Sequence, residues 1–459
     1  MFLKKIFFLK KLQMNNIFKN LIIVNSKQKK RISKNFISGL STESFQLLSQ
    51  LFFAPLMLFF WGANNFGIWL FILSIPNVLL VFNINFQASA VQEITIFNLK
   101  RKYHKSNIIF QNSILLNLIN ISIISLLAII FFFFDFIKLP VFEALSRENV
   151  KFILILIFIS IYLDLFNSVF TTAIYSIGKL YIKFYTSTII DLCSKISIAF
   201  SGFYFDSLLY PAIIYLLFTI LKFMILFFFY SKLNKHLIIS FNLVSKKEIL
   251  RMFKLSLGYS ADIINFLIKH SLIIFLMGLF LDPYIIGYVV TLKTLFYFLP
   301  IRFFGKIYHI SLFEFAELFS KKKFLLIKKN IFKLNILSFS LLLIYMILAL
   351  TLGPFFYNLW TNYKYELSFT LLLLIVFDAF LFIMRNSIIT FFKSINRYFI
   401  FGTSDLILTV ISTYVFYIML LNQISLNYAF FIIVLTSFIS LIFSLIYFFY
   451  CFKNLKVNK

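Results

Sequence analysis

Between residues 36 and 451 the chain repeats one theme, a long apolar run followed by a short connection. A helix of about 20 apolar residues spans the roughly 30 Å of hydrocarbon in a bilayer. Inside that layer no water can satisfy a backbone amide, so such a run closes its own hydrogen bonds as a helix. Twelve runs are found, near 36–61, 66–92, 107–134, 150–176, 182–205, 208–230, 255–281, 284–309, 331–353, 367–390, 401–421 and 427–451. Composition excludes the soluble alternative. Of the 459 residues, 61% are hydrophobic and only 13% charged, whereas a soluble domain carries about a quarter charged residues. The expected class is an all-α polytopic membrane protein with about twelve transmembrane helices.

The net charge of +28 is not a nucleic-acid footprint, because the cations form small clusters between apolar runs and not one extended basic face. No nucleic-acid partner is expected. Counted connection by connection, lysine and arginine alternate. One set holds Lys100, Arg101, Lys102 and Lys105, then Lys179, then Lys232, Lys235, Lys246, Lys247 and Arg251. It continues with Lys321, Lys322, Lys323, Lys328 and Lys329, then Lys393 and Arg397. The other set is nearly bare, with none at 62–65, none beside Asp206, none at Asp282 and Pro283, and only Lys138, Arg147 and Lys364 elsewhere. Cytoplasmic loops are rich in Lys and Arg, so both termini are predicted to be cytoplasmic and the Gly62–Asn65 turn to face outside. Trp61, Trp69 and Trp360 then fall at the outer ends of spans, where an indole suits the headgroup boundary.

Residues 1–34 mix lysine with Phe and Ile and read as a basic amphipathic segment on an anionic membrane surface, unless translation begins at Met14. The remainder divides into an N-terminal six-helix lobe at 35–230, a basic cytoplasmic linker at 231–254, a C-terminal six-helix lobe at 255–452 and a basic tail at 453–459. The connections are too short for a soluble domain, so function is expected between the helices.

The division into lobes comes from a repeat. Residues 59–76, FFWGANNFGIWLFILSIP, and 277–294, MGLFLDPYIIGYVVTLKT, each hold an apolar run, a minimal turn, and a glycine followed by an aromatic. Gly67 precedes Trp69, and Gly287 precedes Tyr288. These hairpins join helices 1–2 and 7–8. Because six is even, the halves are expected as parallel repeats about an axis along the membrane normal.

The stretch FFWGANNFGIWLFILSIPNVLLVFNINFQASAVQEI resembles the start of the polysaccharide (O-antigen) flippase family, at Gly62, Phe66, Gly67 and Trp69. Gly287, Tyr288, Gly353 and Trp360 resemble its second half; at the second helix, where that family often has Asp-Gly, this chain has Asn85 and Phe86. The resemblance runs thinly over about residues 35–450. It implies twelve helices in two lobes around a central cavity, within the superfamily of multidrug, oligosaccharidyl-lipid and polysaccharide exporters. It implies a flippase for an undecaprenyl-pyrophosphate-linked oligosaccharide in the bacterial cytoplasmic (inner) membrane, serving O-antigen, lipopolysaccharide or other surface polysaccharide synthesis. The implied partners are the lipid-linked oligosaccharide, membrane lipids and a polysaccharide polymerase.

A charge inside hydrocarbon is costly and normally faces a cavity or a partner. Candidates within spans are Glu43, Asp164, Asp191, Lys195, Lys222, Asp262, Lys269, Lys293, Asp378 and Arg385. Asp191 and Lys195 are four apart and are expected to neutralise each other, while Lys222 is expected to snorkel to the interface. Asp378 and Arg385 share a helix face, as a pair or as cavity lining. Lys269 and Lys293 are expected in the cavity, where cations stabilise an anionic pyrophosphate, with Asp262 moderating Lys269. Glu43, Gln46 and Gln50 form a polar stripe. Gln46 and Gln50 either bind helices together or meet sugar hydroxyls, and Glu43 could take a coupling proton or sodium ion. Asn83, Asn85, Gln87 and Gln92 on helix 2 offer the same two uses.

His104, His236, His270 and His309 lack metal-ligand spacing, and there is no Gly-Lys-Ser/Thr phosphate loop. No cofactor is expected beyond a coupling ion, and no enzyme activity. A membrane glycosyltransferase or polymerase would need charged outer loops, which are short and charge-poor here. A peptidoglycan-precursor flippase or multidrug exporter of the same fold stays open, although cationic drugs fit a cationic interior poorly.

Overall fold

A computed structural model describes residues 26–133, 139–142, 145–234, 236–320, 324–394 and 399–455. Most of the basic N-terminal segment, residues 1–25, and the last four residues of the tail lie outside the described residues. The first lobe holds α1 (Ser26–Phe60), α2 (Gly62–Leu79), α3 (Phe86–Leu99), α4 (Tyr103–Phe133), α5 (Arg147–Ser176), α6 (Leu180–Tyr204) and α7 (Leu209–Leu233). The second holds α8 (Lys246–Leu267), α9 (Ile273–Phe280), α10 (Pro283–Lys293), α11 (Leu299–Ser320) and α12 (Phe324–Thr351). It continues with α13 (Gly353–Trp360), α14 (Phe369–Ser394), α15 (Phe399–Leu421) and α16 (Leu426–Leu455).

Several of these are parts of one crossing. A π-turn at Ile268–Leu272 joins α8 to α9, and another at Thr294–Phe298 joins α10 to α11. The second crossing, expected as one helix, breaks at Asn83–Asn85 between α2 and α3. A break inside a membrane protein must satisfy its backbone internally. Asn120 does so by donating to Asn83 Oδ1 and Ile84 O, both at 2.8 Å, and Ser260 Oγ accepts from Asn85 N at 3.0 Å. With these segments joined and the short α13 set aside, the rods match the twelve expected runs. Ten stretches of the described residues are long and apolar enough to cross a membrane. The other two are α1, apolar over Ser44–Phe60, and α6, whose hydropathy is lowered by Lys183, Asp191 and Lys195.

Large apolar side chains cover the outside, among them Phe59, Met224, Phe228, Leu325 and Phe449. Lipid is as apolar as they are, so the lobes hold together by close packing and hydrogen bonds. The pattern of packing decides the shape. One buried cluster joins both lobes around the Gly62 and Asp282 turns, with Trp69, Phe71, Met277, Val289 and Tyr357. At the other end the core splits. Phe86, Phe110, Phe170 and Tyr230 form a cluster of the first lobe that takes in Met252 of α8, and Phe304, Phe315, Phe391 and Phe401 form a separate one in the second. The lobes therefore share one core at one end, and at the other each has a core of its own.

The repeated glycines make the meeting possible. A Cβ on Gly67 would sit 1.8 Å from the Pro283 carbonyl oxygen, and one on Gly287 would sit 2.1 Å from Tyr365 Oη and 3.5 Å from Ala63 O. Each lobe thus presents a glycine to the opening turn of the other's second crossing. Along a different edge, α3 and α8 form a polar seam. Ser89 and Ser256 hydroxyls lie 2.9 Å apart, and Arg251 grips Glu93 at 2.5 and 2.6 Å and Glu248 at 2.8 Å. The hydrogen bond to Glu93, above all, raises the guanidinium's hold on its proton beyond the ordinary value.

The linker is stitched down. Gln111 Nε2 donates to Ser240 Oγ at 2.7 Å, Leu243 N donates to Gln111 Oε1 at 2.9 Å, and Ser245 N donates to Asn112 Oδ1 at 3.0 Å. Asn107 Oδ1 accepts from Ile238 N at 3.0 Å. Tryptophan corrects an expectation. Trp61 and Trp69 are buried, and Trp61 Nε1 donates to Ile198 O at 3.2 Å. Gly202, where a Cβ would lie 2.5 Å from Trp61 Nε1, leaves room for the Trp61 ring inside the bundle, and Trp69 packs in the core shared by both lobes.

Candidate functional site

Two charged cavities open between the helices. The first, about 360 Å³, is lined by α1, α2, α5, α6 and α7, with Arg302 entering from α11 of the second lobe. It contains three cations, Lys195, Lys222 and Arg302, against two carboxylates, Asp164 and Asp191. Lys222 takes both carboxylates, at 2.8 Å from Asp164 and 3.3 Å from Asp191. Two sequence expectations are thereby corrected. Asp191 pairs across helices with Lys222 and not along its own helix with Lys195, and Lys222 turns inward and does not snorkel. A partner on a neighbouring helix satisfies each charge at shorter range than water beyond the bilayer could.

Lys195 is left to Ser49, whose hydroxyl accepts from it at 3.0 Å, and to the face of Phe53, 6.0 Å away. Its ammonium and the Arg302 guanidinium, like charges from opposite lobes, line the same space. Gln46 and Gln50 line this cavity too, beside Thr188 and Ser194. The helix 2 amides do not share it. Gln87 donates to Asn117 at 2.9 Å and to Ser168 at 2.8 Å, which ties helices within the first lobe.

The second cavity, about 300 Å³, lies in the second lobe between α8, α11, α14 and α15. Lys269, Arg385 and Lys393 line it against one carboxylate, Asp405. Asp405 collects donors: Arg385 Nη1 at 3.3 Å, Ser440 at 2.9 Å, Asn265 at 3.3 Å and Lys269 at 4.0 Å. Four partners compensate a carboxylate that is 4% exposed. Without them, burying that charge would cost several kcal/mol, roughly.

The candidate residues from sequence separate here. Lys269 and Arg385 line the second cavity. Asp378 does not pair with Arg385; it accepts from Ser437 at 2.6 Å. Lys293 lies behind the cavity wall and donates to the Lys269 carbonyl at 3.2 Å, between the rings of Tyr297 and Phe430. The π-turn carrying Lys269 widens the helix so that this carbonyl can turn toward a side-chain donor. The side chains of Glu43 and Asp262 lie outside the described residues. Sequence reasoning missed Arg302 and Asp405. Asp405 was signalled by Thr409, Ser412 and Thr413, which share its helical face.

At the level of sequence the chain matches no family model and no curated protein. Solved structures do match. A multidrug-resistance MATE-family transporter of the MOP superfamily, in an inward-facing conformation, superposes with a TM-score of 0.66 at 13% identity, covering 91% of this chain and 96% of that one. An outward-facing MATE-family transporter gives 0.55 at 15% identity, covering 93% and 96%. The lipid II flippase MurJ, in an inward closed conformation, gives 0.55 at 17% identity, covering 91% and 87%. The chain has this fold. The first cavity borders the core that both lobes share, through Trp69, Ile198 and Tyr215, the second borders the second lobe's own core, through Tyr308 and Ile383, and the glycine contacts lie where the lobes close.

Proposed function

We propose that the chain is a flippase that carries an undecaprenyl-pyrophosphate-linked oligosaccharide across a bacterial cytoplasmic membrane for surface polysaccharide assembly. One observation carries this reading: cations from both lobes, Lys195 and Arg302, converge on one cavity. A pyrophosphate bridging them would relieve their mutual repulsion and draw the lobes together, with arginine supplying a fork for phosphate oxygens. Lys269, Arg385 and Lys393 extend the cationic surface into the second lobe, and Gln46 and Gln50 offer amides to sugar hydroxyls. Lys293 and Asp378 would act through the field around that surface. Glu43 is the candidate for a coupling proton or sodium ion.

The lobes share one core at the lysine-poor turns and have separate cores toward the lysine-rich connections. With cytoplasmic termini this is an inward-facing state, in keeping with the higher TM-score to the inward-facing relative. The likeness to a lipid II flippase favours a second reading, a peptidoglycan precursor on the same carrier lipid. The test is export in intact cells. Lys195→Ala with Arg302→Ala should cut surface polysaccharide at least tenfold, about 1.4 kcal/mol of lost headgroup binding, at unchanged protein abundance. Accumulation of a cell-wall precursor in place of a glycan would decide for the second reading. Normal export by the double variant would refute the assigned cavity.

A further inference from the structure

Proline has no amide hydrogen, so inside a helix it deprives the carbonyl four residues earlier of its donor. Pro55 does this to Leu51 in α1. The vacancy is filled from the other lobe: the Trp360 indole Nε1, at the end of α13, donates to Leu51 O at 2.7 Å. A similar aromatic donor serves the second lobe, where Tyr345 Oη on α12 donates to Phe296 O at 2.7 Å in the π-turn just before Pro300. At Phe296 both partners move together; at Leu51 they belong to bodies that must separate during transport.

We propose that Trp360 and Leu51 form a clasp that holds the lobes together at the Gly62–Asp282 end, and that Pro55 makes the socket. The inference rests on the transporter fold and is independent of the cargo. Opening the lobes at that end withdraws the indole. Leu51 O is then left without a donor in surroundings where water is scarce, which is costly. The clasp therefore favours the state closed at that end. Its placement supports this role, because the α3–α8 seam joins the lobes through different helices and toward the other end. Trp360 holds the edge that the seam does not.

The test uses the full chain in lipid nanodiscs, with Cys193→Ser and Cys451→Ser, and spin labels at Asp206→Cys and Asn422→Cys in the two lobes. Pulsed electron resonance reads the fractions with near and far labels. Trp360→Phe keeps the ring and loses the donor, and should raise the far-to-near ratio roughly tenfold. Pro55→Ala restores an intrahelical donor to Leu51. In that background Trp360→Phe should shift the ratio by no more than about twofold, because the carbonyl is no longer orphaned. Pro55→Ala alone should also raise the ratio, so the socket is tested even if the tryptophan variant misfolds. An unchanged ratio in both single variants overturns the clasp. An equal effect of Trp360→Phe in both backgrounds overturns the role of proline.

Discussion

Gly67→Ala is the sharpest perturbation the fold allows. The new methyl carbon would lie 1.8 Å from the Pro283 carbonyl oxygen and 2.5 Å from its carbonyl carbon. Both are backbone atoms, so no rotamer change can relieve the clash. The opening turn of α10 must retreat from α2 by about 1 Å or more, and such overpacking costs about 1–3 kcal/mol. The cost falls only on the state in which the two turns touch. The ratio of open to closed lobes at that end should therefore rise by about fivefold to more than a hundredfold. Gly62→Ala is the control. Gly62 has φ +74° with nothing near its Cβ position, so alanine there strains the left-handed backbone by about 1–2 kcal/mol without parting the lobes. Distance measurement between labelled lobes reads both variants. If Gly67→Ala keeps the parent distance distribution while folding normally, the glycine contact does not govern closure and the reasoning fails.

Two further predictions concern charge. Asp405→Asn leaves the Arg385 guanidinium and the Lys269 ammonium buried without their carboxylate. Breaking such a pair costs about 3–5 kcal/mol, so thermal unfolding should occur at clearly lower temperature, and Arg385→Leu in the same chain should recover part of the loss. A stability equal to the parent would mean that the Asp405 network carries no charge pairing. Arg251→Glu sets three carboxylates together at the α3–α8 seam, so it should weaken lobe association at that end and slow transport, and Glu93→Arg should restore it. Failure of the swap to rescue would show that Arg251 acts by packing and not by its pair with Glu93.

Much of this architecture is legible in the residues, for a physical reason. Hydrocarbon thickness sets the length of each run, so twelve crossings and the repeat of Gly67 and Gly287 can be read from spacing alone. Pairing between helices cannot. The i,i+4 rule saw Asp191 beside Lys195, but the ammonium that Asp191 meets is on α7, 31 residues away. Arg302 and Asp405 escaped because each lies toward one end of its run, where a charge reads as reaching the headgroups. The break at Asn83–Asn85 escaped because its stabilising partner, Asn120, lies in another crossing.

The stitched linker has a mechanical consequence. Ser245 caps α8 by accepting from Glu248 N at 3.3 Å, while its own amide is held by Asn112 on α4. The second body is thus pinned to the first at one corner, and a pinned body can rotate but not slide. From that corner to Leu281 the crossing measures about 54 Å at 1.5 Å per residue. A swing of about 10° on such a lever carries its tip through roughly 9 Å, wide enough to pass a sugar ring, while the amides at the pivot hardly stir.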